Sequence, residues 1–494
     1  MTEFCDPNLL AAVKDNPAAM AGLTALLKML SELQLKVAEL EGRIAQITAN
    51  SRTSSKPPSS DRHNPNKPAP RSQRQPSGRK PGGQDGHVGH SLEMSREPDE
   101  ILEAPMAANC PECGQPLNSV PAETVEVRRR QVIEVELPKC WVREYRAETV
   151  ICPGCGAVVA ASFPAGVNAP VQYGKSVQSL VVYLSVWQML PCHRLSELMG
   201  EFFGCPMSPG SVVNMLRRAG ANSAGVVATI RERILKEPWT SFDETGLSLA
   251  GLIHWLHTAS TPDYTLLHTH PNRGVEGIIA GKILPEYDGR AIHDFMSAYM
   301  SLGLELHGLC NAHHVRDLTF VHEVLNQNWA SAMIEFLVET KNKVEPLHKA
   351  GRQLSTRQID ELQDRYFRIL AQGYEENPEP PPKPKGRRGR PARGKALNLL
   401  DRFTEHDEAV MAFVLDPGIP FDNNHAERDL RMMKIRQKIS GCFRGLDMPE
   451  VFARLRSVVS TAAKHSVSAL RAIEALFEPN PTLDAIIQPS LPGT

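Results

Sequence analysis

The side chains of this 494-residue chain best suited to chemistry are three carboxylates and four thiols. Asp243, Asp294 and Glu427 stand far apart in the sequence, and hard carboxylate oxygens of this kind suit magnesium or manganese. A pair of such ions ~4 Å apart activates an attacking oxygen and stabilises the leaving oxygen of an in-line displacement at phosphorus. Taken singly, each acid reads as an ordinary surface or capping carboxylate; only their contexts raise them together. The thiols form a second set, in two near-identical knuckles, Cys110-Pro-Glu-Cys113-Gly and Cys152-Pro-Gly-Cys155-Gly. Each offers two thiolates around a tight turn. Four thiolates suit one closed structural zinc, whereas a catalytic zinc wants an open position and a nearby base. Cys140 stands between the knuckles as an alternative ligand.

The carboxylates need a framework. After Pro238, the runs 240–249, 251–259 and 264–269 are punctuated by Ala250-Gly251 and Thr261-Pro262-Asp263, which reads as an antiparallel meander. A helical stretch with Gly277 and Gly281 follows, then a strand over 289–293 that ends at Asp294. Asp243 falls inside the first strand. Its neighbour Glu244 points to the opposite face, because strand side chains alternate, so one of the two joins the site. Glu427 follows Asp422-Asn423-Asn424, read as a capping run, and so sits in the first turn of a helix. That helix turns Ala426, Leu430 and Met433 inward and carries Glu427, Arg431 and Lys434 along a neighbouring face. Strands followed by helix and strand give an α/β unit. Arriving beyond a long insertion, Glu427 is the ligand expected to be most easily displaced when DNA is absent.

Further modules flank this unit. Leu23, Leu26, Leu30, Leu33, Val37, Leu40, Ile44 and Ile47 alternate steps of three and four, a heptad seam flanked by Lys36 and Glu41. Residues 1–50 therefore read as a dimerising coiled coil, with a single amphipathic helix as the alternative. Residues 51–91 form a basic, proline-rich linker that cannot bury enough surface to fold, serving as a spacer or touching DNA backbone. Residues 92–165 hold the knuckles, with Val125, Val127, Val132, Ile133, Val135 and Leu137 expected to make connecting strands. Residues 166–236 are helical by pattern. Within them, two runs flank 204–208, with Ser208 and Pro209 starting the second run, Val212, Val213 and Leu216 packing inward, and Asn214, Arg217 and Arg218 facing out. This is helix-turn-helix-like, and ordinary helix packing explains it equally well. The α/β unit divides into 237–325 and 401–475, separated by a helical insertion over 326–400 and followed by a tail, 476–494. The insertion ends in a basic stretch where Arg387, Arg388 and Arg390 surround an AT-hook-like Gly389-Arg390-Pro391, which also reads as a plain basic linker.

Lysine and arginine number 55 against 56 for aspartate and glutamate, so the chain as a whole exerts no pull on nucleic acid. Basic residues concentrate at 52–80 and 383–395, the pattern of tethered arms able to hold phosphate. Ser185 and Gln188 interrupt the longest apolar stretch, leaving it short of the ~18 apolar residues a membrane span needs. Acidic Glu3 and Asp6 at the start are unlike a secretory signal. A cytoplasmic protein is expected, in which the ten cysteines act as metal ligands and buried thiols rather than disulfides.

Asp243-Glu-Thr-Gly, His293-Asp294 followed by Cys310-Asn-Ala-His313, and Asp422-Asn-Asn-His-Ala-Glu427-Arg-Asp-Leu-Arg431 resemble successive blocks of the insertion-sequence sixty-six family of transposases. The likeness continues through Ser440-Gly-Cys-Phe-Arg444 and takes in the N-terminal helix, the Lys56-Pro-Pro-Ser-Ser-Asp61 linker and the knuckles. Asn311 and Val315 depart from one common form of the pattern. The resemblance implies a ribonuclease H-like catalytic domain with Asp243, Asp294 and Glu427 as a DDE triad holding two magnesium or manganese ions, supported by His313, Arg431 and Lys434. It implies cleavage and strand transfer at the terminal inverted repeats of an element on the bacterial chromosome, target DNA as second substrate, and accessory proteins from the same element. A hydrolytic nuclease of the same fold and an inactive zinc DNA-binding derivative are the alternatives; the dimerising and DNA-tethering modules disfavour the first, and the intact acids the second.

Metal analysis of the purified protein is expected to find about one tightly held zinc per chain that disappears when Cys110 and Cys152 are replaced together. A folded protein free of zinc would overturn that reading.

Overall fold

The computed structural model describes residues 16–48, 92–117, 127–135, 138–379 and 393–488. The linker over 51–91, the AT-hook-like Arg387, Arg388 and Arg390, and the end of the tail lie outside these residues. The N-terminal helix α1 (Pro17–Thr48) starts where Asn16 Oδ1 accepts the amides of Ala18 and Ala19. Along it Leu26, Leu30, Leu33, Val37 and Leu40 are 49 to 60% exposed, so this part of the apolar seam is left open by the described residues. The side chains of Glu41, Ile44 and Ile47 lie outside the description.

Both knuckles form as turns. The Cys110 amide donates to Gln115 O at 2.9 Å and the Cys152 amide to Ala157 O at 2.8 Å; Gly114 and Gly156 close them at φ +74° and +73°, a region glycine enters without strain. The strands sit elsewhere than expected. A two-stranded antiparallel ribbon, β1 (Thr149–Ile151) and β2 (Val158–Ala160), brackets the second knuckle, while Val127, Val132, Ile133 and Val135 are extended, unpaired and exposed. A strand must satisfy its backbone through a neighbour, and the described residues supply none there. Val125 and Leu137 lie outside them.

The helical region comprises α2 (Lys175–Val186), α3 (Cys192–Phe203), α4 (Pro209–Asn222) and α5 (Ala224–Ile234). Gly204, left-handed at φ +60°, ends α3; Ser208 Oγ accepts the Ser211 amide at 3.1 Å, and Pro209 fits the first turn of α4. Val212 and Leu216 are buried as expected, and Val213 is half-buried. Helix α4 has neighbours in α2, α3 and a helix from the far end of the chain, while Asn214, Arg217 and Arg218 lie on its exposed face as expected. Ordinary packing accounts for it.

Behind these helices lies a five-stranded sheet of β3 (Trp239–Leu249), β4 (Leu252–Ser260), β5 (Thr265–His270), β6 (Arg290–His293) and β7 (His307–Leu309), in the order β5-β4-β3-β6-β7. The first three make the expected meander, and β6 and β7 join β3 in parallel. A three-residue strand such as β7 leaves too short a pattern to read from sequence. Between β5 and β6, α6 (Val275–Ala280) lies so close to the sheet that a Cβ on Gly281 would strike the His268 ring.

The short α7 (Ser297–Met300) follows β6; α14 (Asn424–Ser440) and α15 (Met448–Lys464) cover the other side of the sheet, with α16 (Ala469–Ala475) and α17 (Leu483–Ile487) beyond. The edge strand β5 meets α15 through side chains: the Thr265 amide donates to Thr461 Oγ1 at 3.0 Å and the Leu267 amide to Ser457 Oγ at 2.8 Å. The insertion has its own core, from Leu309 to Phe421, built by α8 (Asn311–Leu325), α9 (Asn328–Lys349), α10 (Thr356–Glu376), α11 (Lys395–Glu405), α12 (Asp407–Val410) and α13 (Ala412–Leu415). It is thus wider than the 326–400 read from sequence, because Val315, Leu318 and Val321 of α8 pack into it. No helix of the described residues is long and apolar enough to cross a membrane.

Replacing Leu33 and Leu40 with asparagine is expected to reduce the mass measured by light scattering to that of a monomer, since a heptad seam is stable only when paired. An unchanged mass would refute pairing through α1.

Candidate active site

Asp243 and Asp294 stand at equivalent places on adjacent parallel strands. The last β3–β6 pair is Ser241 with Ile292, and each aspartate lies two residues further on. Asp243 is half-buried, and its Oδ1 accepts the Glu244 amide at 2.8 Å. Burial, then the charges of Glu244 and Asp294, and finally that of Glu427, hold its carboxyl well above the ordinary range. The acids from β3, the end of β6 and α14 therefore share one electrostatic environment. Asp294 is half-buried, and its Oδ1 accepts the Met296 amide at 3.2 Å.

Glu244 points away from Asp243, as alternation requires, into a network that the sequence reading missed. Its side chain is 0% exposed and pairs with Arg273 Nη2 at 2.7 Å, while Tyr299 donates its hydroxyl to Oε2 at 2.9 Å. Arg273 lies over the Trp255 ring. Tyr299 stacks on His293, whose Nε2 meets His307 Nδ1 at 2.9 Å. Burial pushes the His293 imidazole down to about 3, so this ring is a neutral support beneath the site. The sequence signal was faint: an acid beside Asp243 and a tyrosine shortly after Asp294.

The acidic helix α14 is sewn to the sheet along its length. At its start Asn423 does not cap through its side chain; its Nδ2 donates to Phe242 O at 2.7 Å and its amide to Cys310 Sγ at 3.2 Å. Within the capping run it is Asp422 that acts, its Oδ1 accepting the Asn424 amide at 3.2 Å, while Asn423 is buried and its Oδ1 has no partner among the described residues. Midway, Asp429 Oδ2 accepts from Ser260 Oγ and Thr265 Oγ1, each at 2.7 Å, and from Lys464 Nζ at 3.1 Å. At the end Gln437 donates to Gly246 O at 2.9 Å, and Phe443 bonds Ser248 O at 2.9 Å. Ala426, Leu430 and Met433 face inward as read from sequence.

The Glu427 carboxylate, in the first turn, lies with Cys310 Sγ and a His313 ring nitrogen, all within 4.8 Å of one another. The three acids form no group that tight among the described residues. Glu427 thus reaches Asp243 electrostatically while its oxygens sit beside Cys310 and His313. Burial, with Arg316 nearby, lowers the His313 pKa against the opposing pull of Glu427 and Asp294. Lys434 is exposed; partial desolvation lowers its pKa, and Asp243 partly restores it. Arg431 is exposed.

Other residues singled out from sequence fall away from this cluster. Arg217 makes a two-pronged bond to Asp447, at 2.6 and 3.0 Å, and Arg218 donates to Gln178 Oε1 at 3.1 Å, so both guanidinium groups are engaged within the fold. Cys110 pairs with Cys113 and Cys152 with Cys155, but no group of three or more ligands gathers these thiols among the described residues. Cys140 turns from the knuckles to the helical region, where its amide donates to Phe203 O at 2.9 Å and its thiol meets Cys205. It is therefore committed elsewhere than to a zinc site.

A mixed α/β fold with aspartates on adjacent central strands and a glutamate on a covering helix is the frame into which the comparisons fall. Residues 170–448 match the model of the Transposase IS66 family. That span is more than half of the chain, and the chain belongs to this family. Residues 10–93 match a family of unknown function, DUF6444. No curated protein matches the chain.

Asp429→Ala is expected to cost about 3 kcal/mol in urea unfolding, because it leaves the largely buried Lys464 ammonium without its anion. A loss below about 1 kcal/mol would mean that the pair contributes no more than a surface ion pair.

Proposed function

We propose that this chain cuts and joins DNA as a DDE-type transposase acting at the terminal inverted repeats of its own element, with Asp243, Asp294 and Glu427 as ligands for a pair of magnesium or manganese ions. The observation that carries this reading is the placement of Asp243 and Asp294, each two residues beyond the last β3–β6 pair, with Glu427 close enough to add to the rise that burial, Glu244 and Asp294 impose on the Asp243 carboxyl. Like charges so placed repel, and a divalent cation among hard carboxylate oxygens relieves the repulsion; the donor set fits the group. The strand order, with β3 central between an antiparallel and a parallel neighbour, supports a ribonuclease H-like core.

When bound, the ions supply activation of the attacking oxygen and stabilisation of the leaving oxygen. The chain's own groups set the stage. Asp243 gives up any proton it holds as it becomes a ligand. Glu427 turns from Cys310 and His313 toward the aspartates, and Lys434 lies where a DNA phosphate would approach Asp243. Water attacks at the element end to free a 3′ hydroxyl, and that hydroxyl then attacks target DNA. No covalent protein intermediate is needed, and Cys310 is no nucleophile: it is wholly buried, and burial pushes its thiol up to about 12. In this reading α1 pairs copies of the chain, the knuckles hold one structural zinc, and the basic arms, including Arg387, Arg388 and Arg390, hold DNA backbone. Accessory proteins from the same element complete the assembly.

Asp243→Asn, Asp294→Asn and Glu427→Gln are each expected to lower magnesium-dependent cleavage of an element end by roughly 1,000-fold or more, the scale of several kcal/mol of transition-state stabilisation. Binding of the same DNA, followed by gel shift, should stay within a few fold. Cleavage by any one variant near the parental rate would remove that residue from the catalytic role.

A further inference from the structure

We infer that Cys310, His313 and Glu427 form a second metal site, selective for a thiophilic divalent cation such as zinc, which shares its carboxylate with the acidic trio. One ligand atom from each lies within 4.8 Å of the others. They come from two helix starts brought together by the fold: Cys310 immediately precedes α8, His313 lies in its first turn, and Glu427 in the first turn of α14. Thiolate, imidazole and carboxylate together make a zinc donor set, whereas magnesium takes oxygen ligands alone.

Two backbone N–H groups point at the sulfur, against the burial that otherwise keeps it a thiol. The Asn423 amide donates to Sγ at 3.2 Å, and the His313 amide is also directed at the sulfur; such N–H groups favour thiolate over thiol. The Cys310 amide is fixed to His293 O at 3.0 Å, so the thiol cannot drift from its place. Nδ1 of His313 is buried without a hydrogen-bond partner, leaving a polar atom that the protein itself does not satisfy. As the cation arrives, the thiol proton leaves to solvent and a sulfur–metal bond takes its place. Three protein ligands leave a fourth position for water or a DNA oxygen.

Glu427 has one carboxylate to give. Zinc beside Cys310 would draw it away from Asp243 and Asp294, so the same side chain would be either part of the cutting site or part of an inhibited one. That consequence rests on the transposase reading; the metal site does not.

The test uses the full chain carrying Cys110→Ser, Cys113→Ser, Cys152→Ser and Cys155→Ser, which removes the knuckle thiols, and titrates it with cobalt(II) chloride without DNA. The expected result is a near-ultraviolet thiolate-to-cobalt charge-transfer band saturating at about one equivalent. Adding Cys310→Ser should abolish the band, and adding His313→Ala should weaken cobalt binding by about tenfold or more. Absence of the band, or its survival in the Cys310→Ser protein, overturns the site. If Cys310→Ser fails to fold by circular dichroism, His313→Ala decides alone: unchanged cobalt affinity overturns the site. Because nothing is cleaved in the measurement, loss of the transposase reading would leave a positive result standing.

Discussion

The burial of Asp243 among other carboxylates, Glu244 first and then Asp294 and Glu427, is the constraint on which the rest of this site depends. Carboxylates drawn from water into one another's field are costly to keep charged, and Asp243 shows the cost as a strongly raised pKa. A chain free to relax would let these groups part. Instead the two aspartates are fixed by strand register and the glutamate's helix by bonds at its start, middle and end. The Glu427 carboxylate itself lies with Cys310 and His313.

The insertion is accommodated by the same economy. The chain leaves the sheet at Cys310 and returns at Asn423, and the two ends are bonded: Asn311 donates to Phe421 O at 3.1 Å and Asn423 to Cys310 Sγ at 3.2 Å. Between them the helices satisfy their apolar faces in a core of their own. A long excursion whose ends meet, and which buries its own surface, adds little loop-closure cost to the α/β unit. It also puts Cys310 and Asn423 at one junction, so the sulfur that touches the acidic site is part of the seam closing the insertion.

Residue patterns that act locally were legible in the sequence. The meander, the caps at Ser208 and Pro209, the knuckle turns and the inward face of Ala426, Leu430 and Met433 follow from periodicity and turn chemistry, and they stand where they were read. What depends on distant contacts was not. Glu244 becomes a buried anion only because Arg273 and Tyr299 arrive from later elements, and Asp429 matters only because Lys464 lies above it. Arg217 looked like a free outward cation until Asp447, 230 residues away, closed on it. Asn423 read as a cap because its type is common at helix starts; its burial against β3 could not be seen from type alone.

The hydroxyls of Ser457 and Thr461 on the amides of β5 bear on how copies of the chain can meet. An edge strand with open N–H groups invites another chain to add a strand, and open edges are how many sheets aggregate. Here the outward amides of Thr265 and Leu267 are already answered from within. That edge of the sheet is closed to augmentation, so another chain does not add a strand beside Thr265 and Leu267. The helix responsible, α15, begins where the family match ends, at residue 448, so the protection of the sheet is carried by sequence almost wholly beyond the matched span.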